Sequence, residues 1–348
     1  VTSEQRIDAF VSLGREIAAV VNGNSEGWNI RQQQLAALTL QLHRSNAWFT
    51  PENVMRALDG ISRLLDEKQL HEAEPRYALH PSKPKRIGVV MAGNIPAVGF
   101  HDFLMVLLCG HAVTAKISSD DRLLIPALAA MLVAIEPGFA ERIHFSEGKL
   151  ESFDAIIATG SNNSARYFEY YFKDYPKIIR KSRTSVAVLS GRETSEELRL
   201  LADDIFSFFG LGCRNVTKVY VPADYDLVAL LNSTGAWEHL KDHSKYFNNY
   251  EYHRAGMLVN NLPHYDTGFL LLREDEALFS PIAVLYAERY HSLENVRNTL
   301  HENADDIQCV VSQLDEIPDA IPFGEAQHPG LFDYADGVDT AAFLCSLR

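Results

Sequence analysis

Between residues 87 and 171 the chain alternates short apolar runs with longer runs of helical period, and this alternation constrains its fold more than any other feature. Ile87-Gly88-Val89-Val90-Met91 is a short apolar run and reads as a buried strand. Residues 112–117, 142–145 and 154–158 also read as strands. Residues 95–109, 123–135 and 164–171 read as the helices between them. Strands alternating with helices imply βαβ units and a parallel sheet.

A second alternating block follows. Residues 185–189 and 216–221 read as strands, 195–209 and 227–231 as helices, and 269–272, 282–286 and 307–311 as later strands. The boundary between blocks falls near residue 180, between Ile178-Ile179 and the run 186–189. Ahead of both, residues 3 to 75 read as helices, with Ile7, Phe10, Val11, Leu13, Ile17, Val20 and Val21 at helical spacing. Thr50-Pro51 is a helix start, with Thr as N-cap and Pro in the first position. Residues 73–85, carrying Pro75, Pro81 and Pro84, read as a linker. A chain of 348 residues that is 47% hydrophobic is too long for one ordinary core and suits two domains. The expected division is 1–75 as helices packed on a cofactor domain, 76–180 as that domain, 181–320 as a catalytic domain, and 321–348 as a segment returning to the cofactor domain or a dimer interface.

Composition narrows the function classes. Net charge is −14 with no basic stripe, which argues against nucleic acid as a partner. Cys109, Cys213, Cys309 and Cys345 are scattered without metal-ligand or disulfide spacing, so a reducing cytoplasm fits. The apolar stretches fall short of a membrane span, and Val1 to Arg6 lacks a basic-then-apolar signal pattern.

Ligands in open parallel sheets bind at the carboxyl ends of the strands. Asn94, Ser118, Ser119, Gly160 and Ser161 fall there. Cys213 sits in Phe208-Phe209-Gly210-Leu211-Gly212-Cys213-Arg214-Asn215, between a helix-like and a strand-like run. Two glycines let the backbone turn tightly, Cys there can point its sulfur into a cleft, and Arg214 adjoins it to help hold a thiolate. Each of these residues also has a bland reading. A lone Cys is commonly a small buried hydrophobe, Asn94 before Ile-Pro suits a turn, Lys116 suits a solvated strand end, and Gly160-Ser161 suits a helix N-cap.

Taken in order, Gly93-Asn94-Ile95-Pro96, Ala115-Lys116-Ile117-Ser118-Ser119, Thr159-Gly160-Ser161 and Gly212-Cys213 resemble the aldehyde dehydrogenase superfamily. The resemblance spans about residues 85 to 290, plus Pro322-Phe323-Gly324. Asn94 and Lys116 are 22 residues apart, close to that family's habit. Within the superfamily, the chain looks like the acyl-CoA reductase branch typified by the fatty acid reductase of bacterial bioluminescence. Gly93 to Pro96, Phe209 to Asn215 and Tyr334-Ala335-Asp336-Gly337-Val338-Asp339 carry that likeness. The resemblance implies an α/β fold of two parallel-sheet domains with an N-terminal helical segment, and commonly a homodimer. It implies Cys213 as nucleophile and Asn94 as oxyanion donor. It also implies a nicotinamide cofactor held by Lys116, Ser118, Ser119, Gly160 and Ser161, without a GxGxxG loop.

One departure carries information. Aldehyde-oxidising members bear a Glu-Leu-Gly-Gly-Lys-Ser-Pro segment about 34 residues before the nucleophile, and its Glu activates water. Here that position falls on Ile179, which cannot act as a general base. The resemblance therefore points to reduction of an acyl-CoA or acyl-carrier thioester to an aldehyde. Where NAD-preferring relatives place a Glu three residues after the strand Lys, this chain has Ser119, which favours NADPH over NADH. Asp120 and Asp121 follow directly and, turned inward, would restore the repulsion.

Three other readings stand beside this one: an aldehyde dehydrogenase running oxidatively, an acyl-transferase that stops at the S-acyl enzyme, and a scaffold without turnover. His239 and His243 are four apart but lack a third ligand, so no metal is expected. Tyr246, Phe247, Tyr250, Tyr252 and His253 read as an aromatic loop, and 333–339 as a surface turn or closing strand.

Overall fold

A computed structural model describes residues 1–81 and 83–347. The chain opens with α1 (Ser3–Val21), α2 (Ile30–Thr39), α3 (Pro51–Leu64) and α4 (Glu67–Arg76). Thr2 and Gln5 close a reciprocal capping box at the start of α1, and its Ile7, Phe10, Leu13 and Ile17 are fully buried. Thr50 caps α3, with Pro51 in the first turn. Pro75 lies inside the last turn of α4, so the first four residues of the expected 73–85 linker are helical.

Then come β1 (Arg86–Val90), α5 (Phe100–Leu108), β2 (Ala112–Lys116), α6 (Leu124–Ile135), β3 (Ile143–Ser146), β4 (Ala155–Thr159), α7 (Asn162–Tyr171) and β5 (Lys177–Arg180). The strands form a parallel sheet in the order β3-β2-β1-β4-β5. The strand order reverses about β1, which places a topological switch point between β1 and β4. The helix expected over 95–109 begins only at Phe100, and residues 94–99 form a turn in which Ala97 has φ of 54°. From Phe100 on, α5 is buried nearly all round, as a core helix is.

The next stretch holds β6 (Thr184–Val188), α8 (Ser195–Phe206), β7 (Val216–Pro222), α9 (Leu227–Ser233), α10 (Ser244–Val259), β8 (Tyr265–Asp266), β9 (Leu271–Glu274), β10 (Val284–Tyr290), α11 (Leu293–Glu302) and β11 (Ile307–Ser312). Their sheet runs β11-β6-β7-β10-β9-β8, parallel except for the antiparallel β8–β9 edge. The helix expected over 195–209 ends at Phe206. Phe208 and Phe209 follow with φ of 53° and 60° in a short 3-10 turn. The aromatic residues 246–253 are not a loop: they belong to α10, whose N-terminus is capped by the His243 ring. Residues 335–337 form a 3-10 turn where a surface turn or closing strand was expected, and the chain ends in α12 (Thr340–Ser346).

By compactness the chain divides into two units, Val1–Ser182 with Pro329–Arg348, and Arg183–His328. Residues 321–328 thus fall in the second unit. In the first unit the core is continuous from α1 through α3, α5 and α6 to Leu331, Ala341 and Leu344 of the returning segment. That return is tied by Arg180, which is 3% exposed. Its guanidinium bonds the Asp102 carboxylate at 2.8 Å, the Thr340 hydroxyl at 2.8 Å and the Ala335 carbonyl at 2.7 Å. Among the described residues, no helix is long and apolar enough to cross a membrane.

Candidate active site

In the first unit, three neighbouring strand ends carry the residues singled out from the sequence. β1 leads into Gly93-Asn94, β2 ends on Lys116, and β4 leads through Thr159 into Gly160-Ser161. Since β1 lies between β2 and β4, these residues gather at one edge of the sheet, beside the switch point. Asn94, Lys116, Ser119 and Ser161 are exposed there, and Ser118 is half-buried.

Local packing explains both glycines. A Cβ on Gly93 would sit 2.6 Å from Ser118 Cβ, so only glycine lets the β1 exit pass this close to the β2 exit. A Cβ on Gly160 would meet Ser164 Cβ at 2.8 Å, at the start of α7. Ser161 is the N-cap of α7, its hydroxyl accepting the Ser164 N–H at 3.2 Å. A capped helix start beside a glycine turn is also an anion-receptive geometry. The tight Gly93 cradle and the α7 start suit a dinucleotide lying across the strand ends.

The sequence leaves open that Asp121 turns toward the cofactor. It instead turns into the protein and is 3% exposed. Its oxygens accept the Ala97 N–H at 2.7 Å and the Leu124 N–H at 3.4 Å. Burial raises its carboxyl above the ordinary value, and the two backbone N–H bonds offset only part of that rise. Asp120 is exposed and has its own N–H bound by the Ser118 hydroxyl.

Cys213 lies in the second unit, exposed, on the turn between α8 and β7. Asn215 is fully buried and organises that turn. Its Oδ1 accepts the Gly212 N–H at 2.7 Å, and its Nδ2 donates to the carbonyls of Asp204, Ile205 and Ser207 at 3.1, 3.3 and 2.8 Å. Those carbonyls belong to the last turn of α8 and the residue after it, where the helix leaves acceptors unpaired. The Ser185 hydroxyl, on β6, donates to the Cys213 carbonyl at 3.0 Å. Arg214 does not stand free beside the sulfur: its guanidinium donates to the Ala326 carbonyl at 3.3 Å. Asp204, fully buried on α8, accepts the N–H groups of Gly324 and Ala326 at 2.7 and 3.0 Å. Burial raises its pKa to about 7, against those two bonds.

Asn215, Ser185 and Asp204 had no role in the sequence reading. Asp204 left one trace there, a carboxylate among Leu201, Ala202, Ile205 and Phe206 on a helical stripe. His243 is occupied as the α10 cap, its ring centroid 4.3 Å from that of Phe209. Ile179 lies in β5 paired with Ala158, so an aliphatic side chain occupies that position.

Comparison with known proteins agrees with this architecture. No curated protein sequence matches the chain. Among solved structures, a mutant of the indole-3-acetaldehyde dehydrogenase AldA of P. syringae, complexed with NAD+ and IAA, is similar at TM-score 0.63 and 13% identity. That match covers 94% of this chain and 75% of that one. A mutant of aldehyde dehydrogenase C (AldC) from Pseudomonas syringae, complexed with NAD+ and octanal, gives TM-score 0.65 at 11% identity, covering 92% and 74%. An aldehyde dehydrogenase of Mycobacterium tuberculosis complexed with NAD+ gives TM-score 0.57 at 15% identity, covering 91% and 76%. At these identities they establish the aldehyde-dehydrogenase-like fold. The model of the acyl-CoA reductase (LuxC) family matches residues 25–230, more than half of the chain. The chain therefore belongs to the acyl-CoA reductase (LuxC) family, a branch of the aldehyde dehydrogenase superfamily and a group of NAD(P)-dependent oxidoreductases acting on acyl and aldehyde groups.

Proposed function

We propose that this protein reduces an acyl-CoA or acyl-carrier thioester to an aldehyde through an S-acyl intermediate on Cys213. The observation that carries the reading is an exposed Cys213 on a turn braced from two sides by Asn215 and Ser185. The first unit serves as the cofactor domain and the second as the catalytic domain. The Cys213 thiolate attacks the thioester carbonyl, the new carbon–sulfur bond forms, and CoA leaves as a thiolate. The Asn94 side-chain amide and the Cys213 backbone N–H stabilise the oxyanion, a contribution that is often the largest single one in such reactions. When bound, a reduced nicotinamide would supply hydride to the carbonyl carbon of the S-acyl cysteine, and collapse of the resulting thiohemiacetal would release the aldehyde and return Cys213 as its thiolate. Lys116, Ser118, Ser119, Gly160 and Ser161 hold that cofactor, and Ser119 favours NADPH. Ile179 offers no base to activate water, which favours reduction over the oxidative reading. The homodimer and the cytoplasmic location complete this proposal.

The deciding experiment follows absorbance of the reduced nicotinamide with a panel of acyl-CoAs. Consumption that depends on acyl-CoA, with aldehyde as product, is the expected result. No consumption with any acyl thioester, together with nicotinamide reduction when aldehyde is supplied, would replace this reading with the oxidative one.

A further inference from the structure

Two side chains brace the Cys213 turn, and neither takes part in the chemistry above. Asn215 accepts the Gly212 N–H at 2.7 Å and returns its own backbone N–H to the Gly212 carbonyl at 3.1 Å. Ser185 donates its hydroxyl to the Cys213 carbonyl at 3.0 Å. The peptide unit is planar, and in its trans form the N–H points opposite to the C=O. The Gly212–Cys213 peptide is itself held by the backbone N–H of Asn215, and the two side chains pin the peptides on either side of it, Asn215 Oδ1 at the Gly212 N–H and Ser185 Oγ at the Cys213 carbonyl, so that together they set the direction of the Cys213 N–H. The brace is referenced to α8 and β6, because Asn215 Nδ2 is bound to three carbonyls at the end of α8 and Ser185 sits on β6. Both residues are fully buried, so neither touches substrate directly.

Three consecutive residues in the left-handed region, Phe208, Phe209 and Gly210, lead into the turn. Phe has no preference for such a backbone, and the conformation persists because the surrounding bonds over-determine it. The turn is thus held in one shape at some cost in local strain.

We propose that Asn215 and Ser185 are positioning residues that aim the Cys213 N–H at the substrate carbonyl oxygen. Acylation depends on them, while the intrinsic reactivity of the thiol does not. The proposal rests on Cys213 being the nucleophile.

The test compares two reactions of Cys213 in the full chain and in the Asn215→Ala and Ser185→Ala variants. Alkylation by iodoacetamide needs the thiolate and builds no oxyanion. Acylation by acyl-CoA without nicotinamide is followed as release of the CoA thiol in a single turnover. Acylation is expected to fall about 10- to 100-fold in each variant, the scale of a displaced reacting group. Alkylation is expected to stay within about threefold, the scale of an uncritical contact. Unchanged acylation in both variants overturns the proposal, as does alkylation that falls in step with acylation. Should Asn215→Ala fail to fold by circular dichroism, Ser185→Ala decides alone, since it removes one hydroxyl. Mass spectrometry of the acylated parent separates the two layers. A label on a residue other than Cys213 overturns the nucleophile reading. A label on Cys213 with variants acylating at the parent rate overturns only the positioning role.

Discussion

The Asp121 carboxylate accepts the Ala97 N–H at 2.7 Å, tying the turn after β1 to the loop after β2 across 24 residues of chain. Ala97 holds a left-handed φ of 54° there, three residues after Asn94. The same carboxylate caps the first turn of α6 through Leu124. The turn carrying Asn94 is thereby fixed to a helix of the core.

A fixed turn suits an oxyanion donor. Removing such a donor costs about 10²–10³ in kcat. Asn94→Ala is expected to lower kcat by that factor while its melting temperature stays close to the parent's. Activity within a few-fold of the parent, the approximate scale of an uncritical contact, would remove Asn94 from the mechanism.

For Cys213, incubation with acyl-CoA in the absence of nicotinamide is expected to leave an acyl adduct on that residue by mass spectrometry. Cys213→Ser is expected to abolish turnover. A serine variant that turns over at the parent rate would mean that the nucleophile lies elsewhere.

With Asp121 committed to Ala97 and Leu124, the carboxylate two residues after Ser119 is turned away from solvent. Asp120 stays exposed beside Ser119, so the proposed preference sets Ser119 against that one carboxylate. The expected outcome is a higher kcat/KM with NADPH than with NADH, reversed by Ser119→Glu through repulsion of the 2′-phosphate. A parent that prefers NADH contradicts this, and an unaltered preference in Ser119→Glu moves the determinant to another residue.

The resemblance places Ile179 at the position of the water-activating Glu, and the proposed mechanism has no other base there. The S-acyl enzyme is therefore expected to persist in water when no nicotinamide is present, with little free acid formed. Rapid release of free fatty acid from acyl-CoA under those conditions would show that some other group activates water.

Asp204 is expected to make stability pH-dependent. Its folded pKa, pushed up to about 7 by burial, lies above the ordinary carboxylate value near 4. Folding thus retains a proton that the unfolded chain has lost. The associated stability is complete below about pH 4 and is lost as pH rises through about 7. Thermal melts at pH 5 and pH 8 are expected to show a larger drop for the parent than for Asp204→Asn, which cannot ionise. Parallel curves for the two proteins would mean that Asp204 does not titrate in this window.

The alternation of strand and helix was legible because period and apolar run length are local properties. The expected strands at 87–91, 112–117 and 154–158 match β1, β2 and β4 to within one residue at each end. Lys116 ends β2, Gly160 directly follows β4 and Asn94 lies four residues past β1, so their place at the strand ends came with the pattern. The aromatic stretch 246–253 was misread because its helix buries few residues. Tyr246, Tyr250 and Met257 face inward among exposed polar and aromatic neighbours, which dilutes any apolar stripe.

The turn that presents Cys213 was decided only by the tertiary structure. Nothing in Phe208-Phe209 favours a left-handed backbone. That shape depends on Asn215 gathering the carbonyls at the end of α8, and on Ser185 reaching the Cys213 carbonyl from 28 residues upstream. Asp204 meets its partners at Gly324 and Ala326, 120 and 122 residues away. Sequence by itself determined which residues stand at strand ends and which cysteine directly follows a two-glycine turn, because neighbours along the chain set those features. The bonds that aim the cysteine join groups distant in sequence, and only packing of the folded chain brings such groups within hydrogen-bonding distance.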